Sequence, residues 1–308
     1  MKVLFVTADR YPPFRPAAKY LFGRELVQKG VQVDWLMQAE SAGIDSGPIP
    51  LDNGVAYVAA ATSGESRLAK VYRHLLDVVN DCRMFALVRR KRYDIIQVKD
   101  KYLAGLTAIL ASKIFGTKFC YWIAFPHAEA SSYTASRGFA KFPWFSFLRG
   151  IVYGFCLYRL IARYADIIFV QSEQMKTDMA AKGVQEDKMV PVPGSVDLEE
   201  IEQLLSQATL VPIADRITYV GTLDRARRLT FLVEVLARVR ERMPNATLEF
   251  VGSGEQPLDE EVLQQKVARY SLDDAVVFDG RLDFVAVIER IANAEVCLSP
   301  YYLSLIHI

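Results

Sequence analysis

The sequence predicts an α/β protein made of two successive blocks of parallel sheet. Three observations carry this. Short β-branched and aromatic runs alternate with stretches of helical periodicity along the whole 308-residue chain. The segment Ile217–Gly254 reads strand, turn, helix, strand, turn. A polar stretch, Glu199–Asp215, separates one alternating block from the next. A β–α–β unit of this length closes with a right-handed crossover and a parallel sheet. In such sheets ligands bind outside the carboxyl ends of the strands.

Taken in order, Lys2–Thr7 is the first expected strand, followed by a proline-punctuated loop over Ala8–Ala18. A helix from Lys19 to Lys29 stops at Gly30. Val31–Met37 is the second strand, and Val55–Ala60, after the turn Asp52-Asn53-Gly54, is the third. Leu68–Arg90 carries apolar residues at helical spacing and ends in the basic run Arg89–Arg92, read as a solvated helix end. Strands at Tyr93–Val98 and Lys118–Ile123 flank a helix over Ala104–Phe115, and Ala165–Val170 and Met189–Val192 continue the pattern. The expected division is a first domain over 1–200, a connection over 201–216 and a second domain over 217–302, with a tail at 303–308. Two such blocks would leave a cleft between their strand ends, a usual place for a substrate.

Composition narrows the function. A hydrophobic fraction of 52% supplies the cores, and a net charge of +1 gives no global electrostatic case for nucleic acid. Cys82, Cys120, Cys156 and Cys297 are far apart and make no CxxC pair. They read as buried, reduced thiols of a cytoplasmic protein rather than disulfides or metal ligands. Met1–Thr7 is a strand and a turn, wrongly built for a signal peptide.

Two stretches carry chemistry. After Gly221 come Arg225, Arg227 and Arg228, and a second glycine turn, Gly252-Ser253-Gly254, follows the next strand. Guanidinium forks and helix N-termini both suit phosphate, so this turn is a candidate diphosphate site; three solvated arginines are the plainer reading. Phe139–Tyr164 is aromatic and apolar, with Lys141, Arg149, Arg159 and Arg163 along it. Its runs between charges are too short to span a bilayer. It reads either as an interfacial helix on anionic lipid or as a core helix with snorkelling arginines.

ADIIFVQSEQMKTDMAAKGVQEDKMVPVPGSVDLEE (Ala165–Glu200), ITYVGTLDRARRL, TLEFVGSGEQ and AVVFDGRLDFVAVIERIANAEVCLSP, in this order, resemble the signature segments of family-4-type retaining glycosyltransferases. YDIIQVKD and KVLFVTADRYPP resemble that family's amino-terminal domain less specifically. The resemblance implies the GT-B fold: two Rossmann-like domains facing across a cleft, acceptor mainly on the first, nucleotide-sugar donor mainly on the second. It places the donor-phosphate turn at Gly221 and Thr222, where the family's arginine is lost, and at Arg227, which stands for its lysine. Arg225 or Arg228 would supply the missing charge. Gly252, Gly254 and Glu255 would lie on the second donor loop, and Gly280 and Arg281 near the nucleotide base.

The chain departs from the family at several places. The turn Pro193-Gly194-Ser195-Val196-Asp197 lacks an asparagine, and the loop Pro12–Ala18 lacks a glycine pair, leaving Arg15 as the candidate phosphate contact there. The family's active-site histidine would fall near Ala124, and His127, three residues on, is the candidate. A carboxylate-bearing segment that should follow Pro300 is missing. The last six residues, Leu303–Ile308, read like a translated transposase adapter, so the native sequence is expected to end near Tyr302, with His307 no ligand. The second domain is therefore expected to be incomplete and the fragment weak in donor binding and catalysis.

The leading expectation is retaining transfer of a sugar from a nucleotide diphosphate to a glycan or lipid-linked acceptor, without cofactor or metal, by a protein that is cytoplasmic or peripheral on the membrane's inner face. A nucleotide-sugar epimerase of the same architecture and a non-catalytic nucleotide-binding fragment are alternatives. A Rossmann dehydrogenase is poorly served, because Pro257 stands where the third glycine of Gly252-x-Gly254 belongs.

Overall fold

The computed structural model describes every residue except 14–16, 42, 52, 62–66, 195, 208–210, 255 and 301–308, and leaves undescribed the side chains of 17, 67–71, 73, 74 and 226. The chain forms two compact units that divide between Val196 and Asp197.

The first unit is built on strands β1 (Lys2–Tyr11), β2 (Gln32–Ala39), β3 (Gly47–Leu51), β4 (Gly54–Ala59), β5 (Ile95–Lys99), β6 (Lys118–Trp122), β7 (Ile167–Val170) and β8 (Met189–Pro191). They lie in the order β3-β4-β2-β1-β5-β6-β7-β8. Successive residues of β1 point to opposite faces, and both faces are covered, so the strand reads as a continuous apolar run. Leu4 and Val6 join a core with Ile96, Val98, Phe119 and Ile168. Val3 and Phe5 join another with Val33, Trp35 and Phe22.

Helix α1 (residues 17–28) begins with wide π-type turns and stacks Phe22 on Phe5, ring centroids 3.9 Å apart. The other face carries α2 (Arg67–Lys91), α3 (Tyr102–Phe115), α4 (His127–Ser136), α5 (Pro143–Tyr164) and α6 (Glu173–Ala181). Small residues let these helices close up. A Cβ on Gly150 of α5 would stand 2.3 Å from Ser132 Oγ of α4.

The second unit has β9 (Ile213–Val220), β10 (Thr247–Val251), β11 (Val276–Gly280) and β12 (Ala294–Cys297), all parallel, in the order β11-β10-β9-β12. Its helices are α7 (Leu198–Gln207), α8 (Thr230–Arg240), α9 (Pro257–Arg269) and α10 (Phe284–Ala292). Tyr219, Leu232, Val233, Leu236, Leu248 and Phe250 make its core.

Several elements differ from the sequence reading. The first strand runs on to Tyr11 through a register shift between Val6 and Arg10, so part of the expected loop is strand. The first sheet is not wholly parallel: β3, unforeseen because Pro48 and Pro50 interrupt it, pairs antiparallel with β4 at the sheet's edge. The polar connection contains α7, which puts Ile201, Leu204 and Leu205 at helical spacing and packs on α10, and β9 begins four residues early. Of the four thiols expected to be buried, all are free, but Cys82 and Cys297 are exposed and only Cys120 is fully buried. The tail 303–308, with His307, lies outside the described residues.

Asp100 follows β5 at φ 55°. Its Oδ1 accepts the Ala124 N–H at 2.8 Å and the Phe125 N–H at 3.4 Å, tying this turn to the loop after β6. Burial pushes its carboxyl from 3.8 up to about 6 against the pull of those donors and Lys99. The folded chain thus holds this proton more tightly than the unfolded chain. The stabilisation is full below about pH 4 and is lost as pH rises through about 6. Asp100→Asn keeps an acceptor oxygen and suits left-handed backbone. In urea denaturation between about pH 4 and about pH 7, the variant's midpoint should gain on the parent's as pH rises. A constant difference across that range would contradict this account.

Candidate functional site

In the second unit the site grows from two strand ends. β9 ends at Gly221 (φ 154°) and β10 at Gly252 (φ 140°). Gly221 N–H donates to Val251 O at 2.9 Å, and Gly252 N–H to Gly280 O at 2.7 Å. A Cβ on Gly252 would lie 2.0 Å from Gly221 O, inside any contact distance. No residue with a side chain fits there without moving backbone. Leu223 N–H donates to Ser253 O at 3.1 Å, so the two loops are laced together.

The first loop then turns through Arg225–Arg227 as a short 3₁₀ helix, passes Arg228 at φ 53°, and enters α8. Arg227 lies back over the strand end: its Nη1 donates to Tyr219 Oη at 3.4 Å, and Tyr219 Oη donates to Thr222 O at 3.1 Å. Arg225 reaches the other way. Its Nε donates to Asp259 Oδ1 of α9 at 2.8 Å, and that carboxylate, nearly fully buried, also accepts the Gln256 N–H at 3.0 Å. Gly254 N–H donates to Glu260 Oε1 at 2.9 Å. The arrangement brings Gly221, Thr222, Arg225, Arg227, Arg228, Gly252 and Gly254 to the carboxyl end of the sheet, with Gly280 and Arg281 at the end of the neighbouring strand. Glu255 lies outside the described residues. Asp259, Glu260 and Tyr219 are the fixing residues that sequence reasoning missed. The capping pattern at the start of α9 was the available signal for Asp259.

The first unit has its own constellation at the carboxyl end of its sheet. After β1 the chain passes to β2 on one side, and later returns to β5 on the other, which makes the β1–β5 boundary a switch point. There Lys99 Nζ and Asp9 Oδ2 form an ion pair of 2.8 Å with both side chains buried, and Lys99 stands over the Trp122 ring. Lys101 pairs with Asp81 at 2.5 Å and Asp77 at 3.9 Å. His127 opens α4, its ring edge-on to Phe125, and joins Asp100 and Lys101 in lining a cavity of ≈ 460 Å³. The charged run Lys99-Asp100-Lys101 directly after a buried strand was a signal that went unread. Arg15 lies outside the described residues. Among the described residues no three His, Cys, Asp or Glu side chains gather as a metal site.

Helix α5 packs one face in the core, as the second reading of its sequence expects. One stripe, Ser146, Gly150, Leu157 and Ile161, is buried in the fold. The opposite side leaves Trp144, Phe145, Phe147, Ile151 and Phe155 more than half exposed. The helix has 22 residues, and an 18-residue window of it has a mean hydropathy of 1.3, so that, against the expectation from its short charge-free runs, it is long and apolar enough to cross a membrane by length and composition.

Two family profiles match the sequence: a "Glycosyl transferase 4-like domain" over residues 20–194 and "Glycosyl transferases group 1" over residues 214–306. No curated protein matches it. Among solved structures, sucrose-phosphate synthase from Thermosynechococcus elongatus superposes with a TM-score of 0.70 at 16% identity, covering 98% of this chain and 76% of that one. The E. coli protein described as "trehalose-6-phosphate … bound with UDP-2-fluoro glucose" gives 0.65 at 10% identity, covering 98% and 78%. Anabaena Alr3699/HepE in complex with UDP-glucose gives 0.56 at 15% identity, covering 96% and 73%. At these identities the likeness is one of fold: two Rossmann-like units of the GT-B type, the second the smaller. With the family profile spanning more than half of its length, the chain belongs to the glycosyl transferase 4-like family and is a glycosyltransferase.

Proposed function

We propose that the protein moves a sugar from a nucleotide diphosphate donor to a glycan or lipid-linked acceptor with retention at the anomeric carbon. The observation that carries this is the laced pair of glycine turns, Gly221 and Gly252, with guanidinium groups held beside it. The missing Cβ atoms let the two loops close on each other, while Arg227, Arg228 and the amino end of α8 oppose the charge of a diphosphate. Arg225, braced by Asp259, holds the two loops in register. Gly252, Gly254, Glu255, Gly280 and Arg281 receive the nucleotide, and Arg15 is a further candidate for the donor phosphate. Solved relatives of like fold carry UDP-glucose or UDP-2-fluoro glucose, which supports a nucleotide-sugar donor.

In the transfer, the bond from the anomeric carbon to the diphosphate oxygen breaks. A bond to the acceptor oxygen forms on the same face, and the acceptor's hydroxyl proton passes to the departing diphosphate. The arginines stabilise the negative charge that develops on the leaving group, a role in which fixed donors act most strongly. The reading needs no metal and no cofactor. His127 is the first unit's active-site residue, beside the acceptor hydroxyl. Residues 139–164 rest on the cytoplasmic face of a membrane through the exposed side of α5.

The test is a transfer assay with UDP- and GDP-sugars and an alkyl glycoside acceptor, read by NMR at the anomeric centre. We expect one donor to be consumed, a product with the donor's anomeric configuration, and the same rate after treatment with a chelator. A product of inverted configuration would refute retention, and loss of activity on chelation would refute the metal-independent account. His127→Ala should lower turnover by about 10²-fold, because the imidazole positions the acceptor hydroxyl whose proton the diphosphate takes. Unchanged turnover would remove it from the site.

A further inference from the structure

We infer that the groove between α2, α3 and α5 holds an amphiphilic acceptor, its apolar chain between the helices and its sugar hydroxyls on the groove floor. This rests on the acceptor reading above and names the acceptor's class and place.

The groove of ≈ 460 Å³ lies wholly within the first unit. That volume falls within the range of about 300–1,000 Å³ typical of small-molecule sites. Its mouth is apolar: Val78 of α2, Leu103 of α3 and Val152 of α5 line it and are each between a third and a half exposed. Leu106, Tyr153 and Cys156 continue the wall inward. The floor is polar. Asp77, Asp81 and Lys101 meet there, beside Asp100 and His127. Carboxylates and an imidazole among apolar walls suit sugar hydroxyls, which donate and accept at once. An apolar mouth over a polar floor matches the two parts of an amphiphile.

The mouth also continues into the exposed side of α5. From Ala130 to Ala165 the chain has no Asp or Glu, while Arg137, Lys141, Arg149, Arg159 and Arg163 are all present. An apolar, acid-free, cationic surface complements an anionic lipid surface. A chain leaving such a surface would enter between Val152 and Leu103, with its head directed to the end of the sheet where His127 stands.

Two readouts test this in a Cys82→Ser, Cys297→Ser background, which leaves Cys156 in the groove wall and Cys120 buried. One is the rate of Cys156 alkylation by N-ethylmaleimide, with dodecyl maltoside below its micelle threshold, maltose, or dodecyl phosphocholine added. The other is the fluorescence of Trp144, which is 72% exposed whereas Trp35 and Trp122 are buried, on adding phosphatidylcholine vesicles with or without phosphatidylglycerol. We expect severalfold protection of Cys156 by dodecyl maltoside, little by maltose or dodecyl phosphocholine, and a blue shift of Trp144 with the anionic vesicles. Val152→Trp, which narrows the mouth at a half-exposed position, should abolish the protection. A blue shift without protection would overturn the groove and leave the membrane contact standing. Neither signal would overturn both. Equal protection by maltose or by dodecyl phosphocholine, or protection surviving in Val152→Trp, would also overturn the assignment. None of these readouts involves the donor, so sugar transfer is tested separately.

Discussion

The second unit turns on the closeness of two strand ends. Gly221 and Gly252 cross with so little room that a single added carbon would stand 2.0 Å from a carbonyl oxygen. That closeness lets each loop hydrogen-bond the other, and it presents backbone rather than side chains at the sheet's carboxyl end. The positive φ angles at both positions remove almost every residue but glycine from consideration. Once the loops are fixed, Asp259 can reach Arg225 and Tyr219 can reach Arg227, so the cations are set by contacts that do not need a ligand. A site arranged in advance spends less of its binding free energy on ordering.

The first unit shows a different tension. Its switch point holds a buried ion pair, Lys99–Asp9, of a kind that desolvation makes costly unless geometry and further contacts offset it. Here the pair is short, and the Trp122 ring offers the ammonium a second favourable contact. At the unit's surface α5 leaves large aromatic residues in water, although its other stripe is fully used by the core. Packing alone does not ask for Trp144 or Phe155 on that side.

Much of this was legible beforehand because parallel α/β chains write their strands as short apolar runs and their turns as glycine. The β9–α8–β10 unit and its two glycine turns could be read from local pattern. What could not be read were pairings across the sequence. Arg225 finds Asp259, 34 residues on, and Lys99 finds Asp9, 90 residues back. Local composition also misled at two places. β3 looks unlike a strand because two prolines interrupt it, yet an edge position tolerates them. Residues 198–207 look like a polar connection because polar residues outnumber the apolar ones, yet Ile201, Leu204 and Leu205 share a helix face against α10.

The central claim is that a diphosphate sits on the Gly221 turn and is held by Arg227. Calorimetric titration of UDP and GDP into the parent and into Arg227→Ala tests it most directly. A charge-assisted contact of this kind contributes about 1.5–3 kcal/mol. The parent should therefore bind one of the nucleotides, and the variant should bind it at least about tenfold more weakly. Equal affinity in the two proteins, or no binding of either nucleotide by the parent, would contradict the account.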